Sequence, residues 1–180
     1  MQYFKEEKEN GKIIIRLDQG EMLLESIETV ISEANIKNGV VISGIGTLSD
    51  ARIHLVTTTG YPAVEKYPEW KNVPIELCSI SGIIANGEPH LHTVFSDSHN
   101  TYCGHLEHGC KTLYLCEIVI ELLENISLIR VSMIEEFTMV LERLILRLRS
   151  SLVQTSRTGL RWFLLQTTFS SRWHQLYMIL

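Results

Sequence analysis

The first half of the chain alternates short apolar, β-branched runs with one stretch of helical periodicity. Residues 12–17 form such a run and predict a strand. From Leu23 to Ile31, apolar side chains recur at the spacing i, i+3, i+4 and i+7, which predicts an amphipathic helix within residues 21–34. Gly39 follows as a stop signal. The pattern therefore predicts one helix early in the chain, with its apolar face in the core.

The remaining apolar runs have the length and residue types of β-strands. Strands are predicted at residues 40–43, 52–57, 75–81, 90–96, 112–123, 126–133 and 136–141, with a long loop at 58–74. Gly44 and Gly46 fit close backbone packing or a tight turn better than a phosphate loop, because a third glycine and a following helix are missing. Strands outnumber helices, and crossovers are needed, so we expect the α+β (α/β) class, with a helix packed on one sheet.

Three histidines fall around one predicted hairpin. His90 and His92 belong to a β-branched run, and the turn-forming residues 97–100 follow it. With a four-residue loop, facing residues have numbers that sum to 197, so that His92 faces His105 and His90 faces Glu107. Facing residues have Cβ atoms about 5 Å apart, and residues two apart share a face. The three imidazoles would then converge in the open three-His pattern that suits a zinc-type ion.

The alternative is that these are ordinary histidines that make hydrogen bonds at the surface or in the core. Cys103 and Glu107 share the predicted face and could supply a fourth ligand. His99 lies in the turn and His108 on the other face, so we expect both to be bystanders.

Composition indicates one globular domain that can bury its own core. The chain has 180 residues, of which 45% are hydrophobic and 21% charged. No apolar run approaches the roughly 18 residues of a membrane span, and the N-terminus is charged rather than apolar. The four cysteines show no C-x-x-C spacing, which favours reduced thiols. We therefore expect a cytoplasmic protein.

Charge divides the chain into two parts. Residues 1–142 carry ten Lys and Arg against 21 acids, a balance of −11, whereas residues 143–180 carry six Arg and no other charge. A body at −11 repels phosphate backbones unless its basic groups gather on one face. Two interpretations of residues 143–180 stay open. They are either an Arg-rich amphipathic tail that binds an acidic partner or membrane surface, or a frame-shifted or poorly folded terminus.

The order of several short motifs resembles a known family. The motifs are Gly20-Glu21, Ser43-Gly-Ile-Gly-Thr-Leu48, Ile75-Glu-Leu-Cys-Ser-Ile-Ser-Gly82, Pro89-His-Leu-His92, Gly104-His-Leu106, Gly109-Cys110 and Cys116-Glu-Ile-Val-Ile120. Together they resemble the PPC ("plants and prokaryotes conserved") domain over roughly residues 10–142. We therefore take residues 1–142 as a PPC-like domain, followed by the tail.

The resemblance implies a single mainly antiparallel sheet wrapped around one central helix, assembled as a homotrimer. It also implies a metal site at His90, His92 and His105, although Cys103 stands where the family usually has glycine. Prokaryotic members often carry a DNA-binding label by analogy with plant proteins that join this domain to AT-hooks. An AT-hook carries Arg-Gly-Arg-Pro, which this chain lacks, so the label transfers weakly.

Two functions from different classes follow. The first is a homotrimeric module that binds zinc or a similar divalent transition metal and contacts a small-molecule ligand or a partner, with DNA as a possible partner. The second is a small zinc-dependent enzyme that activates a water bound by the three histidines, with Glu76 or Glu117 as general base. No nucleophile motif or cofactor fingerprint names a substrate.

Overall fold

The described part of the chain consists mainly of antiparallel strands and one helix. A computed structural model describes residues 1–8, 10–60, 62–131 and 177–179. The elements in chain order are β1 Gln2–Lys5, β2 Lys12–Asp18, α1 Leu23–Glu33, β3 Gly39–Val56, β4 Glu65–Lys66, β5 Glu69–Trp70, β6 Ile75–Ala85, β7 Glu88–Ser96, β8 Thr101–Leu106, β9 Lys111–Leu122, β10 Ile129–Val131 and β11 Tyr177–Ile179.

One large sheet contains nine of these strands. Its order is β1-β2-β9-β3-β6-β7-β8, and β4 and β5 pair with β3 beside this path. The last strand, β8, also pairs with the far end of β3, through Ile53–Leu106 and His54–His105. Strands β3, β6, β7 and β8 therefore form a closed circuit of hydrogen bonds. The residues that follow β8 are held next to β3 as a consequence.

The predicted α+β (α/β) class is wrong. The described residues form a mostly antiparallel β-structure with a single helix of 11 residues, so helix is a minor component. The expectation assumed crossover segments between strands. Neighbours such as β6–β7 and β7–β8 are antiparallel instead and need only tight turns, which leave no place for crossover helices.

The predicted helix is confirmed, and it covers one face of the sheet. Its buried residues are Leu23, Leu24, Ile27, Val30 and Ile31, the apolar positions of the helical pattern. They join a core that includes Ile13, Ile15 and Leu17 from β2 and Ile118 and Ile120 from β9. Burying this many apolar side chains at about 25 cal/mol per Å² is the main stabilising term of the fold.

Strand β3 runs without interruption through the two glycines that the sequence pattern placed in a turn or close contact. A Cβ at Gly46 would lie 2.4 Å from the carbonyl oxygen of Leu115, and a Cβ at Gly44 would lie 2.8 Å from Ile80. Close backbone packing is therefore confirmed as the reason for these glycines. The strand continues past them because register shifts at Val41/Ser43 and Gly46/Leu48 absorb the irregularity.

The remaining described residues add one small element. Strands β10 and β11 form a separate two-stranded sheet. The strand predicted at residues 126–133 is thus observed over Ile129–Val131, outside the large sheet. The strand predicted at 136–141, the predicted boundary at 142/143 and most of the Arg-rich tail lie outside the described residues. Among described residues, none of the helices has the length and apolarity that a bilayer crossing requires.

Candidate metal centre

Four histidines and a glutamate meet on the sheet face opposite the core. On β7, His90 and His92 flank the buried Leu91. His54 on β3 directly follows a buried apolar residue, and His105 on β8 directly precedes one. Because side chains alternate along a strand, these histidines point to the outer face. His54 faces His105, and His105 faces His92, so a row of three imidazoles crosses β3, β8 and β7.

The predicted hairpin register is confirmed. Strands β7 and β8 pair through His92–His105, Val94–Cys103 and Ser96–Thr101, and each pair sums to 197. Asp97 holds the connecting turn, because its carboxylate accepts hydrogen bonds from the backbone N–H groups of His99 and Asn100, each at 2.7 Å. These hydrogen bonds, together with one donated by the Tyr102 hydroxyl, lower the pKa of Asp97.

One pair of the predicted register is wrong. The pairing of β7 with β8 ends at His92–His105, and Glu107 lies beyond the end of β8 rather than opposite His90. The backbone N–H of Glu107 donates instead to the carbonyl oxygen of Arg52 on β3 at 3.2 Å. The hairpin rule failed here because a long-range pairing takes the chain away from β7.

The imidazole rings lie at distances that fit binding to a common ion. Ring centres are 5.4 Å apart for His90–His92, 5.0 Å for His90–His105 and 5.6 Å for His92–His105. The Nε2 atoms of His90 and His92 are 3.3 Å apart. Three imidazoles bound to one tetrahedral zinc at about 2.0 Å would have neighbouring nitrogens roughly 3.3 Å apart and ring centres roughly 5 Å apart. The ring-centre distances of the three predicted ligands are therefore close to those around a zinc-type ion. Among the described residues, however, the group whose ligand atoms all lie within 4.8 Å of one another is His54, His105 and Glu107.

Glu107 contacts two of the histidines with a single oxygen. Its Oε1 accepts hydrogen bonds from Nδ1 of His105 at 3.0 Å and from Nδ1 of His54 at 3.1 Å. His54, His105 and Glu107 each offer one ligand atom such that all three atoms lie within 4.8 Å of one another. A carboxylate on Nδ1 fixes the ring orientation and leaves Nε2 of His105 for a ligand.

The electrostatic environment keeps the site suited to ligation. Burial, followed by the nearby charges of His105 and His54, lowers the pKa of His92, which favours the neutral imidazole that binds metals. On the other side of the cluster, Glu65 Oε1 lies 3.7 Å from Nε2 of His54. The Tyr67 hydroxyl donates to Glu65 at 2.6 Å, and this bond raises the pKa of Tyr67.

The other residues considered from the sequence lie apart from this cluster. Glu76 faces Ser96, which is four residues and hence about 13 Å along β7 from His92. Glu117 lies between Arg16 and Ile45 on β9, and both glutamates are exposed.

The remaining cysteine and histidines show separate contacts. Cys103 is an exposed free thiol, and within the described part of the chain it does not join the group of close ligand atoms around Glu107. The backbone of His99 belongs to the turn. His108 donates from Nε2 to Glu28 on α1 at 2.9 Å.

His54 is the site residue that the sequence pattern did not reveal. The run 52–57 predicts a strand, and alternation places Arg52 and His54 on one face. Nothing in the spacing shows which strand lies beside it, because the β3–β8 pairing joins segments some fifty residues apart. The only available signal was a histidine on the outer face of a predicted strand.

Solved structures of other proteins share this fold. A candidate DNA-binding protein from Bacteroides thetaiotaomicron has the same fold, with a TM-score of 0.62 and 19% identity, and the match covers 72% of this chain and 89% of that protein. A metal-containing protein from Archaeoglobus fulgidus matches with a TM-score of 0.53 and 24% identity, covering 68% of this chain and 84% of that one. At these identities the likeness concerns the fold.

Sequence comparisons identify the family. A bifunctional protein GlmU from a Synechococcus strain is 29% identical over 107 residues, which is 59% of this chain and 16% of that protein. The chain thus spans about a sixth of the length of the curated relatives it matches. The match to the Plants and Prokaryotes Conserved (PCC) domain, also abbreviated PPC, extends over residues 4–124, well over half of the sequence. The chain belongs to the Plants and Prokaryotes Conserved domain family.

Proposed function

We propose that this PCC-domain chain is a metal-binding module in which His90, His92 and His105 hold one zinc or similar divalent transition metal ion. The observation that carries the proposal is the set of ring-centre distances, between 5.0 and 5.6 Å, which matches three imidazoles around one ion. The structural neighbour from Archaeoglobus fulgidus is described as metal-containing, which supports a metal on this scaffold.

In this site the histidines would bind the ion, and the glutamate orients one of them. His90 and His92 present their Nε2 atoms to each other, and Glu107 holds Nδ1 of His105 so that its Nε2 is left for the ion. A bound zinc ion would supply a Lewis-acidic position, because three protein ligands leave one coordination place open. His92 is exposed, so a small-molecule donor or a partner side chain can reach that place.

We propose further that the chain assembles as a homotrimer through the outer face of the sheet. Phe4 faces Ile14, and Ile14 faces Val119, so an apolar row crosses β1, β2 and β9. Phe4, Ile14 and Ile45 are 64%, 49% and 50% exposed, which is high for large apolar side chains on ordered strands. Contiguous exposed apolar surface of this kind marks a protein interface.

DNA is at most a weak partner in this proposal. The Bacteroides thetaiotaomicron neighbour is a candidate DNA-binding protein. The charge balance of −11 over residues 1–142 opposes contact with phosphate, since non-specific affinity comes from the number of Lys and Arg that neutralise the backbone. Recognition at the open metal position is therefore favoured over recognition of a nucleic acid.

The test of the metal site is elemental analysis of the full-length protein after growth with zinc and removal of loose ions by gel filtration. Wild type should retain stoichiometric metal, and His92→Ala should retain less than a tenth of it, because two remaining histidines form a weak site. His99→Ala removes a turn histidine and should retain the wild-type amount. Wild-type protein without bound transition metal would contradict the proposal.

Assembly is tested independently of metal. Light scattering of the full-length chain at micromolar concentration should give the mass of a trimer. A double Ile14→Glu, Ile45→Glu variant should dissociate, because six carboxylates would enter the apolar interface. Val56→Glu changes an equally exposed apolar residue at the far end of β3 and should leave the trimer intact. A monomer mass for wild type would refute the assembly.

A further inference from the structure

A second set of ligand atoms adjoins the three-histidine set and shares one residue with it. Glu107 Oε1 lies 3.0 Å from Nδ1 of His105 and 3.1 Å from Nδ1 of His54, and the three donor atoms form one compact group. Two imidazole nitrogens and a carboxylate oxygen form a ligand set for divalent transition metals. The hydrogen bonds among these three atoms orient the two rings. The same three atoms also have the composition of a cation site.

The spacing of these atoms is close to that of a filled site. Around a tetrahedral zinc ion with bonds of about 2.0 Å, neighbouring donor atoms lie roughly 3.3 Å apart. The distances from Glu107 Oε1 to the two nitrogens are 3.0 and 3.1 Å. The atoms would therefore need to move apart by only a few tenths of an ångström to admit an ion. The side chains of His54, His105 and Glu107 are 21%, 27% and 22% exposed, which leaves a path for an ion while shielding the position from bulk water.

His105 is placed to serve both positions. It is the middle member of the row that pairs His54 with His105 and His105 with His92. Its ring centre lies 4.9 Å from that of His54 and 5.0 Å from that of His90. An imidazole has two ring nitrogens separated by one carbon, so Nδ1 can bind an ion beside Glu107 while Nε2 binds the ion held by His90 and His92.

We propose that His54, His90, His92, His105 and Glu107 form a two-cation centre. His90, His92 and Nε2 of His105 hold the first ion, and His54, Glu107 and Nδ1 of His105 hold a second divalent transition metal ion. The inference rests on the proposed three-histidine site, because the shared ring joins the two. Filling both positions releases the remaining ring proton of His105 to solvent, so His105 bridges the ions as an imidazolate. His54 binds through Nδ1 and carries its proton on Nε2, which lies 3.7 Å from Glu65 Oε1.

Negative charges near the two positions favour the binding of two cations. The carboxylates of Glu107 and Glu65 lie close to the two positions, and the imidazolate formed at His105 when both ions bind would add a third negative charge. The Tyr67 hydroxyl donates a hydrogen bond to Glu65 at 2.6 Å, which holds that side chain beside His54. Three negative charges offset most of the four positive charges that two divalent ions bring.

Titration of the metal-free full-length protein with Co²⁺ tests this inference. Wild type should bind two ions per chain, whereas His54→Gln should bind one, because His54 is a ligand of the second position only. Glu28→Gln removes a carboxylate on α1 that contacts His108 and is not a ligand of either position, so this variant should still bind two. In electron paramagnetic resonance, the second equivalent of Co²⁺ should weaken the signal of the first, because an imidazolate couples the two spins.

The outcomes separate this inference from the metal site on which it rests. One ion per chain in wild type and in His54→Gln, lost in His92→Ala, would overturn the two-cation centre and leave the three-histidine site standing. No ion in wild type would overturn both. Two ions whose signals simply add, with the second retained in His54→Gln, would also overturn the shared centre, since that ion would lie elsewhere.

Discussion

His92 faces His105 directly across strands β7 and β8, with their ring centres 5.6 Å apart. The same register brings Val94 opposite Cys103 and Ser96 opposite Thr101. A slip by one residue would turn His92 toward the core and Thr93 toward the outer face, because side chains alternate along a strand. The register of this hairpin therefore decides whether the histidines can meet at all.

Cross-linking tests that register without any metal. In a Cys78→Ser background, Val94→Cys should form a disulfide with the native Cys103 under mild oxidation. Directly facing residues of an antiparallel pair have Cα atoms about 4.5–5.5 Å apart, within the range that a disulfide spans. Cys78 is removed because its Sγ lies 3.9 Å from Ser96 on the same face and could compete.

The matched control adds Cys103→Ser to the same variant and should abolish the cross-link. Non-reducing mass spectrometry of proteolytic fragments identifies the bond. If the new cysteine at position 94 stayed reduced while Cys103 also stayed free, or paired with a cysteine outside β8, the register would be wrong and with it the convergence of the three rings.

Gly82 holds the histidine strand against β6. It faces Leu91 in the register, has φ +153°, and a Cβ there would lie 2.0 Å from the carbonyl oxygen of His90. Gly82→Ala should lower the free energy of unfolding by about 3 kcal/mol, because the two strands must separate to accept the methyl group. Gly60→Ala, where a Cβ would meet nothing within 4 Å, should change it by less than about 0.5 kcal/mol.

Urea unfolding followed by circular dichroism gives both values. Equal, small losses in the two variants would show that β6 and β7 are not packed as closely at Gly82 as the structure indicates. A loss for Gly82→Ala accompanied by weaker metal binding would instead tie the position of His90 to this contact.

The sequence was most informative where structure is local. The β7–β8 register followed from a four-residue turn held by Asp97, and the helix followed from apolar spacing, since each depends on residues close together in the chain. Among the candidate residues, His90, His92 and His105 could be placed together for the same reason. Their roles as ligands stay predictions.

The sequence was least informative where distant segments pair. The contact of β3 with β8 brings His54 to His105 and draws Glu107 away from β7, and no periodicity encodes it. The length of β3 was hidden for a related reason. Gly44 and Gly46 read as an interruption, but they are sites where Ile80 and Leu115 of neighbouring strands pass close to the backbone. The class assignment failed because antiparallel neighbours removed the need for crossovers.

The ion pair between His108 and Glu28 should make stability depend on pH. The hydrogen bond to Glu28, together with the charges of Glu28, Glu25 and Glu107, raises the pKa of His108 above its usual 6.5 despite partial burial. A raised folded-state pKa contributes stability that is fully present below pH 6.5 and is lost as pH rises through the folded pKa. Glu28→Gln should therefore destabilise the protein at pH 5.5 but hardly at pH 9.

The expected loss at pH 5.5 is small, about 0.5 kcal/mol, because the two side chains are 55% and 39% exposed and solvent screens them. Thermal unfolding at both pH values measures it. Glu33→Gln on the same helix is the control, since a carboxylate without a titrating histidine partner changes little between pH 5.5 and 9. A loss of equal size at both pH values would assign the effect to helix packing rather than to the ion pair.

The charge distribution of this chain disfavours DNA recognition by the domain itself, although the Bacteroides thetaiotaomicron neighbour is described as a candidate DNA-binding protein. Residues 1–142 carry −11, and the acid-free basic stretch is the tail. Its arginines are Arg143, Arg147, Arg149, Arg157, Arg161 and Arg172. Any DNA binding by the full chain should therefore be independent of sequence and fall steeply with salt, because released counterions drive it.

A full-length variant with all six tail arginines changed to Gln should bind duplex DNA no better than about 10⁻⁴ M at physiological salt, the weak end of non-specific binding. Fluorescence anisotropy of labelled duplexes, titrated in salt for both proteins, measures the affinity and its salt slope. A second variant with the arginines changed to Lys keeps the charge and should bind as wild type does, since phosphate attraction needs charge rather than guanidinium geometry. Sub-micromolar, sequence-selective binding by the Gln variant would show that the domain itself recognises DNA, through basic groups gathered on one face against its net charge.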